Sequence, residues 1–142
     1  MKINGTGKAD LLIGTDGADT INGGGGNDTI IGGAGTDVLT GGHGADTFVL
    51  NANSQYDIIT DFNPAEGDKI LLDFGTSASA PVYSGALYDG LSFQACGGTC
   101  HVSCVDINGD GVMDTQISLD GANVFLLGCL PSQLHGSDIL GT

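Results

Sequence analysis

A nine-residue repeat near the N-terminus constrains the fold of this 142-residue chain more than any other feature. From Gly14 the sequence reads in units of nine: GTDGADTIN, GGGGNDTII, GGAGTDVLT and GGHGADTFV, the last ending at Val49. A degenerate unit, GTGKADLLI, precedes them at 5–13. The units share the pattern G-G-x-G-x-D-x-U-x, in which U is a large apolar residue. A flexible glycine-rich linker would not keep an aspartate and an apolar residue at fixed positions, so the repeat predicts a regular solenoid.

Each unit predicts a turn followed by a short strand. Glycines supply the turn angles, and the residues after the aspartate alternate so that the U side chain points inward. Two units would then form one eighteen-residue turn of a coil with a parallel sheet on each side, and aspartates eighteen residues apart would stack. The repeat aspartates are Asp10, Asp19, Asp28, Asp37 and Asp46, and the apolar positions are Leu12, Ile21, Ile30, Leu39 and Phe48.

Stacked carboxylates repel one another unless a cation lies between them. Ca²⁺ accepts flexible oxygen coordination that includes backbone carbonyls, whereas Mg²⁺ requires a tight octahedron and keeps its waters. We expect about three or more calcium ions, in the gaps Asp10/Asp28, Asp28/Asp46 and Asp19/Asp37. Calcium binding in the first gap is less favoured, because Lys8 replaces a repeat glycine there. The candidate ligands at repeat positions two, four and six, besides Asp10, are Thr15, Gly17, Asp19, Gly24, Gly26, Asp28, Gly33, Gly35, Asp37, Gly42, Gly44 and Asp46.

The charge balance points to the same kind of partner. Three basic residues face 17 acidic ones, and the net charge of −14 disfavours nucleic acid and anionic membranes while favouring divalent cations. The 26 glycines add a large entropic cost of folding that bound cations would offset. No apolar run approaches the roughly 20 residues of a membrane span.

The repeats resemble those of the repeats-in-toxin, or hemolysin-type, calcium-binding family of exported bacterial proteins. The resemblance implies an all-β fold, a right-handed parallel β-roll over 1–50 capped by antiparallel strands over 51–142. The segments YDIITDF (56–62) and EGDKILLDF (66–74) are similar to those that follow the last repeat in serralysin-type metalloproteases and alginate-epimerase R-modules. That similarity implies a further calcium held by Asp57 and Asp68; the alternative is that both are strand-end and turn residues without metal.

A second acidic motif lies in the C-terminal half. Oxygen-bearing side chains occupy positions 1, 3, 5 and 9 of a loop, and a glycine occupies position 6, as in tight calcium loops. Position 12 is Ile117 instead of the glutamate of an EF-hand, and the flanks alternate as strands do. Asn-Gly and Asp-Gly also favour hairpins, so a cation site and a purely structural hairpin both stay open. The four candidate ligands are Asp106, Asn108, Asp110 and Asp114.

The four cysteines depart from the family, whose members mostly avoid cysteine. An even number in an exported chain predicts up to two disulfides, with three pairings possible. A soft-metal site completed by His101 and free thiols are the alternatives. The disulfide candidates are Cys96, Cys100, Cys104 and Cys129.

The sequence contains no H-E-x-x-H or G-x-S-x-G motif and no readable nucleophile–base arrangement, so we expect no enzyme and no catalytic residue. The N-terminus lacks the features of a secretory signal peptide, whereas residues 137–142 resemble the uncleaved signal of type I secretion substrates. These features predict a secreted module that folds on Ca²⁺ after export, with the type I secretion apparatus as a partner. The alternative is a polysaccharide- or cell-surface-binding module like the R-modules, which three lysines and the absence of tryptophan disfavour for acidic polymers.

Overall fold

The computed structural model describes residues 1–51, 55–73, 100–106, 108–112, 114–119, 122–128 and 139–141. Within these ranges the chain forms short β-strands and one 3₁₀-helix, η1 (Pro64–Glu66). No helix among them is long and apolar enough to cross a membrane. The strands, in chain order, are β1 (Lys2–Asn4), β2 (Leu11–Ile13), β3 (Thr20–Gly25), β4 (Thr29–Ile31), β5 (Val38–His43), β6 (Thr47–Asn51), β7 (Tyr56–Ile59), β8 (Lys69–Asp73), β9 (Cys100–Val105), β10 (Asp114–Leu119), β11 (Ala122–Leu126) and β12 (Ile139–Gly141).

The first eight strands form a parallel β-roll of about four turns. Odd-numbered strands pair in parallel in the order β1-β3-β5-β7, and even-numbered strands do the same in the opposite sheet. In the regular part of the roll, each residue lies opposite the one eighteen positions later, as Ile21 does Leu39 and Ile30 does Phe48. The predicted all-β solenoid is therefore confirmed.

The roll continues beyond the last nonapeptide. The resemblance placed β7 and β8 in the antiparallel cap, but both pair in parallel with β5 and β6 and complete a fourth turn. The physical reason is that Ile59 and Ile70 keep the inward apolar positions after the glycines have ended, and both are fully buried. The register of these strands follows the alternation of buried residues, which continues without the glycine-rich turn.

Antiparallel pairing begins at β9, two strands later in the chain than the resemblance implied. Strand β11 adds to β7 in parallel, and β10 and β9 then extend the same sheet in antiparallel pairs. The result is a seven-stranded sheet, β1-β3-β5-β7-β11-β10-β9, opposite a five-stranded sheet, β12-β8-β6-β4-β2. The β9–β10 pairing shows that the acidic motif at 106–114 connects a hairpin, as the alternating flanks predicted.

The core is a single column of inward side chains between the two sheets. Ile21, Ile30, Leu39 and Phe48 have 0% exposure, whereas Leu12, in the degenerate unit, retains 9%. The same buried cluster continues past residue 50 into the C-terminal strands through Ile59, Phe62, Ile70, Ile117, Val124 and Leu126. The U positions of the repeat were therefore predicted correctly as core.

The backbone of β9 restricts the cysteine pairing. Cys100 and Cys104 lie four residues apart in one strand, which places their Cα atoms about 13 Å apart at about 3.3 Å per residue. A disulfide requires about 4.4–6.8 Å between Cα atoms, so these two cysteines do not pair with each other. Cys96 and Cys129 lie outside the described residues, and the disulfides stay a prediction with two pairings in place of three.

Truncation of one inward side chain should test how strongly the column stabilises the roll. Leu39→Ala removes a side chain with 0% exposure from β5, an inner strand of the seven-stranded sheet, and should cost about 2–5 kcal/mol of unfolding free energy in saturating Ca²⁺. The matched control is Leu11→Ala, because Leu11 is 64% exposed on β2 and its truncation should change stability by about 0.5 kcal/mol or less. Urea unfolding followed by circular dichroism measures both; equal losses in the two variants would contradict the core assignment.

Candidate calcium sites

Two columns of aspartates run along the edges of the roll. In each, the carboxylate of one turn accepts a hydrogen bond from the backbone N–H of the aspartate in the preceding turn, at 2.8–3.2 Å. The stacking expected of aspartates eighteen residues apart is therefore observed. One column contains Asp10, Asp28, Asp46 and Asp68, and the other contains Asp19, Asp37 and Asp57.

The columns extend beyond the regular repeat. Asp57 follows Asp37 by 20 residues and Asp68 follows Asp46 by 22 residues, yet both occupy the stacked position and both are buried. The resemblance implied one further calcium held by both residues. The structure places them in different columns, Asp57 after Asp37 and Asp68 after Asp46, and a calcium bound by either stays a prediction. Their structural role is that of the next member of each column.

Three aspartates in the middle of the columns keep one oxygen unsatisfied. The Oδ1 atoms of Asp28, Asp37 and Asp46 accept the interturn hydrogen bonds, but their buried Oδ2 atoms have no hydrogen-bond partner. The three side chains are 0–1% exposed. A buried, incompletely solvated carboxylate is costly unless it is paired or coordinates a metal. Each of these oxygens is therefore a suitable ligand for a cation.

The first turn of the roll differs at the same position. The Oδ2 atom of Asp19 accepts hydrogen bonds from the backbone N–H of Thr15 at 2.5 Å and from its hydroxyl at 2.9 Å. Asp10 is satisfied in the same way by the backbone N–H and hydroxyl of Thr6, at 2.6 and 2.8 Å. In the first turn, threonine at repeat position two thus donates hydrogen bonds to the carboxylate. In the middle turns, the glycine at this position does not. The first turn has less need of a cation than the middle turns.

The glycines allow neighbouring turns to approach closely. Gly42 and Gly44 have φ angles of 98° and 122°, which residues with a side chain rarely adopt. A Cβ atom at either position would also overlap the carbonyl oxygen of Gly24 or Gly26 in the turn below. The six repeat glycines with positive φ are Gly24, Gly26, Gly33, Gly35, Gly42 and Gly44, whereas Gly17 in the first full unit does not have this conformation.

The donor set around each column is therefore mixed. No group of three or more His, Cys, Asp or Glu side chains converges on one point among the residues that the structure describes. A cation at these edges would take one or two carboxylates and complete its coordination with backbone carbonyls of the turns. Ca²⁺ accepts such a mixture of oxygen ligands, whereas the soft metals favour thiolate or imidazole.

The pKa values of the aspartates differ between the first turn and the later turns of the columns. Hydrogen bonds from the N-terminal ammonium, 2.8 Å from Asp19, and from Thr15 hold the pKa of Asp19 below its usual value. Burial, together with the neighbouring carboxylates, raises the pKa of Asp37 and Asp46. Burial likewise raises the pKa of Asp68 from 3.8 to about 6. The middle and C-terminal parts of the columns thus accumulate unfavourable negative charge that a divalent cation would relieve.

Asp61 is a carboxylate beside the columns that the repeat pattern did not predict. Its carboxylate accepts hydrogen bonds from the backbone N–H groups of Gly41 and Gly42 at 2.9 and 2.8 Å, and its charge contributes to the raised pKa of Asp46 and Asp68. The signal in the sequence was the offset of 20 residues, which relates Gly41 to Asp61 as it relates Asp37 to Asp57. Asp61 thus accepts hydrogen bonds from the last glycine-rich turn, on the side where another nonapeptide would stack in a longer roll.

The hydrogen bonds that the structure describes for the motif at 106–114 do not involve the column aspartates. Asp106, Asn108 and Asp110 are exposed, and they accept hydrogen bonds from backbone N–H groups of their own loop. Asp114 is buried on β10 and accepts a hydrogen bond from the N–H of Gly128 at 2.7 Å. These hydrogen bonds account for the loop as a hairpin connection, and the cation expected there stays a prediction.

The fold and the aspartate columns define a class, the parallel β-roll built from calcium-binding nonapeptides. A family model described as the RTX calcium-binding nonapeptide repeat matches residues 4–39 and 23–59 in four copies. The chain is 31% identical to the AlgE6R2 subunit of the mannuronan C5-epimerase from Azotobacter vinelandii, with a TM-score of 0.55, covering 98% of this chain and 91% of that one. The chain belongs to the RTX calcium-binding nonapeptide repeat family, and it is a calcium-binding β-roll module.

Two further solved structures are similar. The AlgE6R3 subunit of the same epimerase is 28% identical, with a TM-score of 0.48 over 95% of this chain and 79% of that one. The extracellular lipase LipA from Serratia marcescens is 22% identical, with a TM-score of 0.49, and this chain covers 20% of the lipase. Among curated proteins, no sequence matches the chain.

Neutralising one column member should weaken calcium binding in proportion to its role. Asp37→Asn keeps the oxygen that accepts the hydrogen bond from the neighbouring turn but removes the charge of a buried carboxylate. We therefore expect the Ca²⁺ concentration at which half of the protein is folded to rise about 10- to 100-fold. Changes to residues that only hydrogen-bond to a metal ligand already cost this much metal affinity. Asp16→Asn is the control, because Asp16 is exposed in the same region and loses the same charge. A calcium titration followed by circular dichroism compares the two; equal midpoints would argue against a cation at Asp37.

Acidification should have opposite effects on the metal-free and calcium-loaded forms. Because the pKa of Asp68 is raised from 3.8 to about 6 in the folded chain, protonation favours that fold, and this contribution is lost as pH rises through about 6. The metal-free chain should therefore be more folded at pH 5 than at pH 7.5, while the calcium midpoint should rise over the same fall in pH.

The pH effect has an internal control. Asp68→Asn should reduce both trends, since it removes the carboxyl whose pKa is raised to about 6. Thermal unfolding in EGTA and in Ca²⁺ measures them. A metal-free chain that loses stability between pH 7.5 and pH 5 would contradict the buried position of this carboxylate.

Proposed function

We propose that this protein is a secreted, calcium-responsive β-roll module without catalytic activity, which folds when it meets Ca²⁺ outside the cell. The observation that carries the proposal is the set of unsatisfied, buried Oδ2 atoms on Asp28, Asp37 and Asp46. A metal-free roll must bury these charges without compensation, and a cation that binds only the folded state transfers its binding free energy to folding.

The ions would bind beside these three oxygens, one ion to each. This placement differs from the expected gaps, because Asp10 and Asp19 already receive donors from threonine. Ligands of each ion would be the carboxylate oxygen and carbonyls of the glycine turns. Asp57 and Asp68 would provide the final carboxylate of each column, and Asp61 would secure the last turn.

Calcium-controlled folding suits export in an unfolded state. With little Ca²⁺, repulsion within the columns and the entropy of the glycines oppose folding, so the chain can pass through a narrow channel. The C-terminal segment 137–142 is the proposed address for a type I secretion apparatus. In the folded protein, residues 139–141 of this segment pair with β8 as strand β12, so the address would be sequestered once the sheet has formed.

The absence of catalytic activity is part of the proposal. The described buried acids are committed to the columns or to backbone donors, and the R-modules are subunits of an epimerase. We therefore assign this chain a binding and folding role beside any activity that resides elsewhere.

Far-UV circular dichroism during a Ca²⁺ titration from EGTA tests the proposal, with Mg²⁺ as the matched cation. Calcium should convert the spectrum from coil to β-sheet, because its flexible coordination accepts turn carbonyls, and Mg²⁺ at equal concentration should leave the coil largely unchanged. A β-sheet spectrum that is already complete in EGTA would show that the C-terminal strands hold the fold without the ions. Calcium would then be a stabiliser and not a switch.

A further inference from the structure

The outer face of the seven-stranded sheet carries a pair of parallel aromatic rings. Tyr56 on β7 and Phe125 on β11 have ring centroids 6.3 Å apart and planes that differ by 8°. Tyr56 is 53% exposed although one of its neighbours is a parallel ring. Parallel rings at this distance attract each other, which favours this orientation of the Tyr56 ring at the surface.

The ring pair lies at one end of an apolar row that runs across neighbouring strands. Val38, Ile58 and Phe125 are in register on β5, β7 and β11 and are partly exposed. With strands about 4.8 Å apart, the row is about 10 Å long. Beside it, the hydroxyl groups of Thr40 and Thr60 lie 2.7 Å apart. The surface is thus a narrow apolar row with uncharged polar groups along its side.

Uncharged groups also surround the aromatic end of the row. Gln116 is opposite Phe125 on β10, and Asn123 is opposite Tyr56 on β11. The Nε2 atom of Gln116 donates a hydrogen bond to the Oδ1 atom of Asn123 at 3.2 Å. This contact positions the two amides beside the rings, where their side chains extend the polar border.

The charge of this face differs from that of the whole protein. The whole chain carries 17 acidic residues. In this sheet, however, strands β1, β3, β5, β7, β11 and β10 contain only two carboxylates, Asp57 and Asp114, and both are buried. The column aspartates, Asp57 among them, lie at the edges of the roll. A polyanion approaching the sheet would meet the net charge of −14 without a facing cluster of cations, whereas an uncharged polymer would not be repelled.

We propose that the outer face of the seven-stranded sheet binds a neutral polysaccharide through the Tyr56–Phe125 ring pair. The C–H groups on one face of a pyranose ring carry partial positive charge and pack against the electron-rich face of an aromatic ring. The hydroxyl groups of the sugar then meet the amides and the threonine hydroxyls along the row. This site is distinct from the calcium columns and depends on them only for the folded sheet.

Native affinity electrophoresis of the full chain in millimolar Ca²⁺ tests the proposal. The gels contain hydroxyethyl cellulose, mixed-linkage β-glucan or galactomannan as neutral probes, and alginate as the polyanionic probe. At least one neutral polymer should retard the protein, and alginate should not. Tyr56→Ala should weaken the retardation about tenfold, in the range found when an aromatic stacking partner is removed, whereas Tyr56→Phe should retain it.

Two controls keep the outcome specific. Leu11→Ala truncates a side chain that is 64% exposed on the opposite sheet, and it should bind like the parent. Each variant is also titrated with Ca²⁺ by circular dichroism, so that a loss of folding is separated from a loss of binding; Tyr56→Leu replaces Tyr56→Ala if the latter folds less completely. If circular dichroism shows the parent already folded in EGTA, the calcium-responsive folding proposal fails, and the same retardation comparison still tests this site on the folded sheet.

Three results would overturn the proposal. They are the absence of retardation by every neutral polymer, equal retardation of the parent and the folded Tyr56→Ala variant, and retardation by alginate alone. Sedimentation of the parent as a dimer that Tyr56→Ala converts to a monomer would instead assign the ring pair to contact between two copies of the chain.

Discussion

The burial of stacked carboxylates is the constraint on which the rest of this structure depends. Every turn of the roll places an aspartate directly above another, and the backbone N–H of one aspartate donates to the carboxylate of the next. That hydrogen bond satisfies one oxygen and leaves the second buried without a donor in the middle turns. The roll therefore creates like-charge repulsion as it forms, and a divalent cation is the partner that removes it.

The glycines and the apolar column follow from the same geometry. Turns can stack at a distance that brings their carbonyls near the carboxylates only where Cβ atoms are absent, as at Gly42 and Gly44. The inward residue of each strand then packs against its equivalent in the next turn, and Ile21, Leu39 and Ile59 form one such row. Cation binding, close turns and the core are thus one cooperative unit, and loss of any of them should loosen the other two.

The sequence predicted the part of the fold in which side-chain phase and backbone spacing repeat together. Eighteen-residue stacking, the inward U positions and the edge aspartates could all be read from residues 14–49, because one rule generates every turn. The first turn departs from the rule through Thr6 and Thr15, whose hydroxyls satisfy the carboxylates directly. The repeat pattern marks these threonines only as substituted glycines and does not predict that their hydroxyls donate to the aspartates.

The part beyond residue 50 was harder to predict because the spacing changes while the buried pattern persists. Asp57 and Asp68 keep their columns at offsets of 20 and 22 residues, and Asp61 replaces a glycine turn with a carboxylate bound to two N–H groups. The Tyr56–Phe125 pair joins residues 69 positions apart in the sequence. It depends on the parallel insertion of β11 beside β7, which no local pattern encodes.

The position of the ions is the most direct test of this account. A crystal grown with Ca²⁺ and measured at a long wavelength would locate calcium by its anomalous scattering. The account predicts peaks within coordination distance, about 2.3–2.6 Å, of the Oδ2 atoms of Asp28, Asp37 and Asp46, with carbonyls of the glycine turns completing each shell. Peaks confined to the 106–114 loop, or columns without any peak in a fully folded crystal, would contradict it.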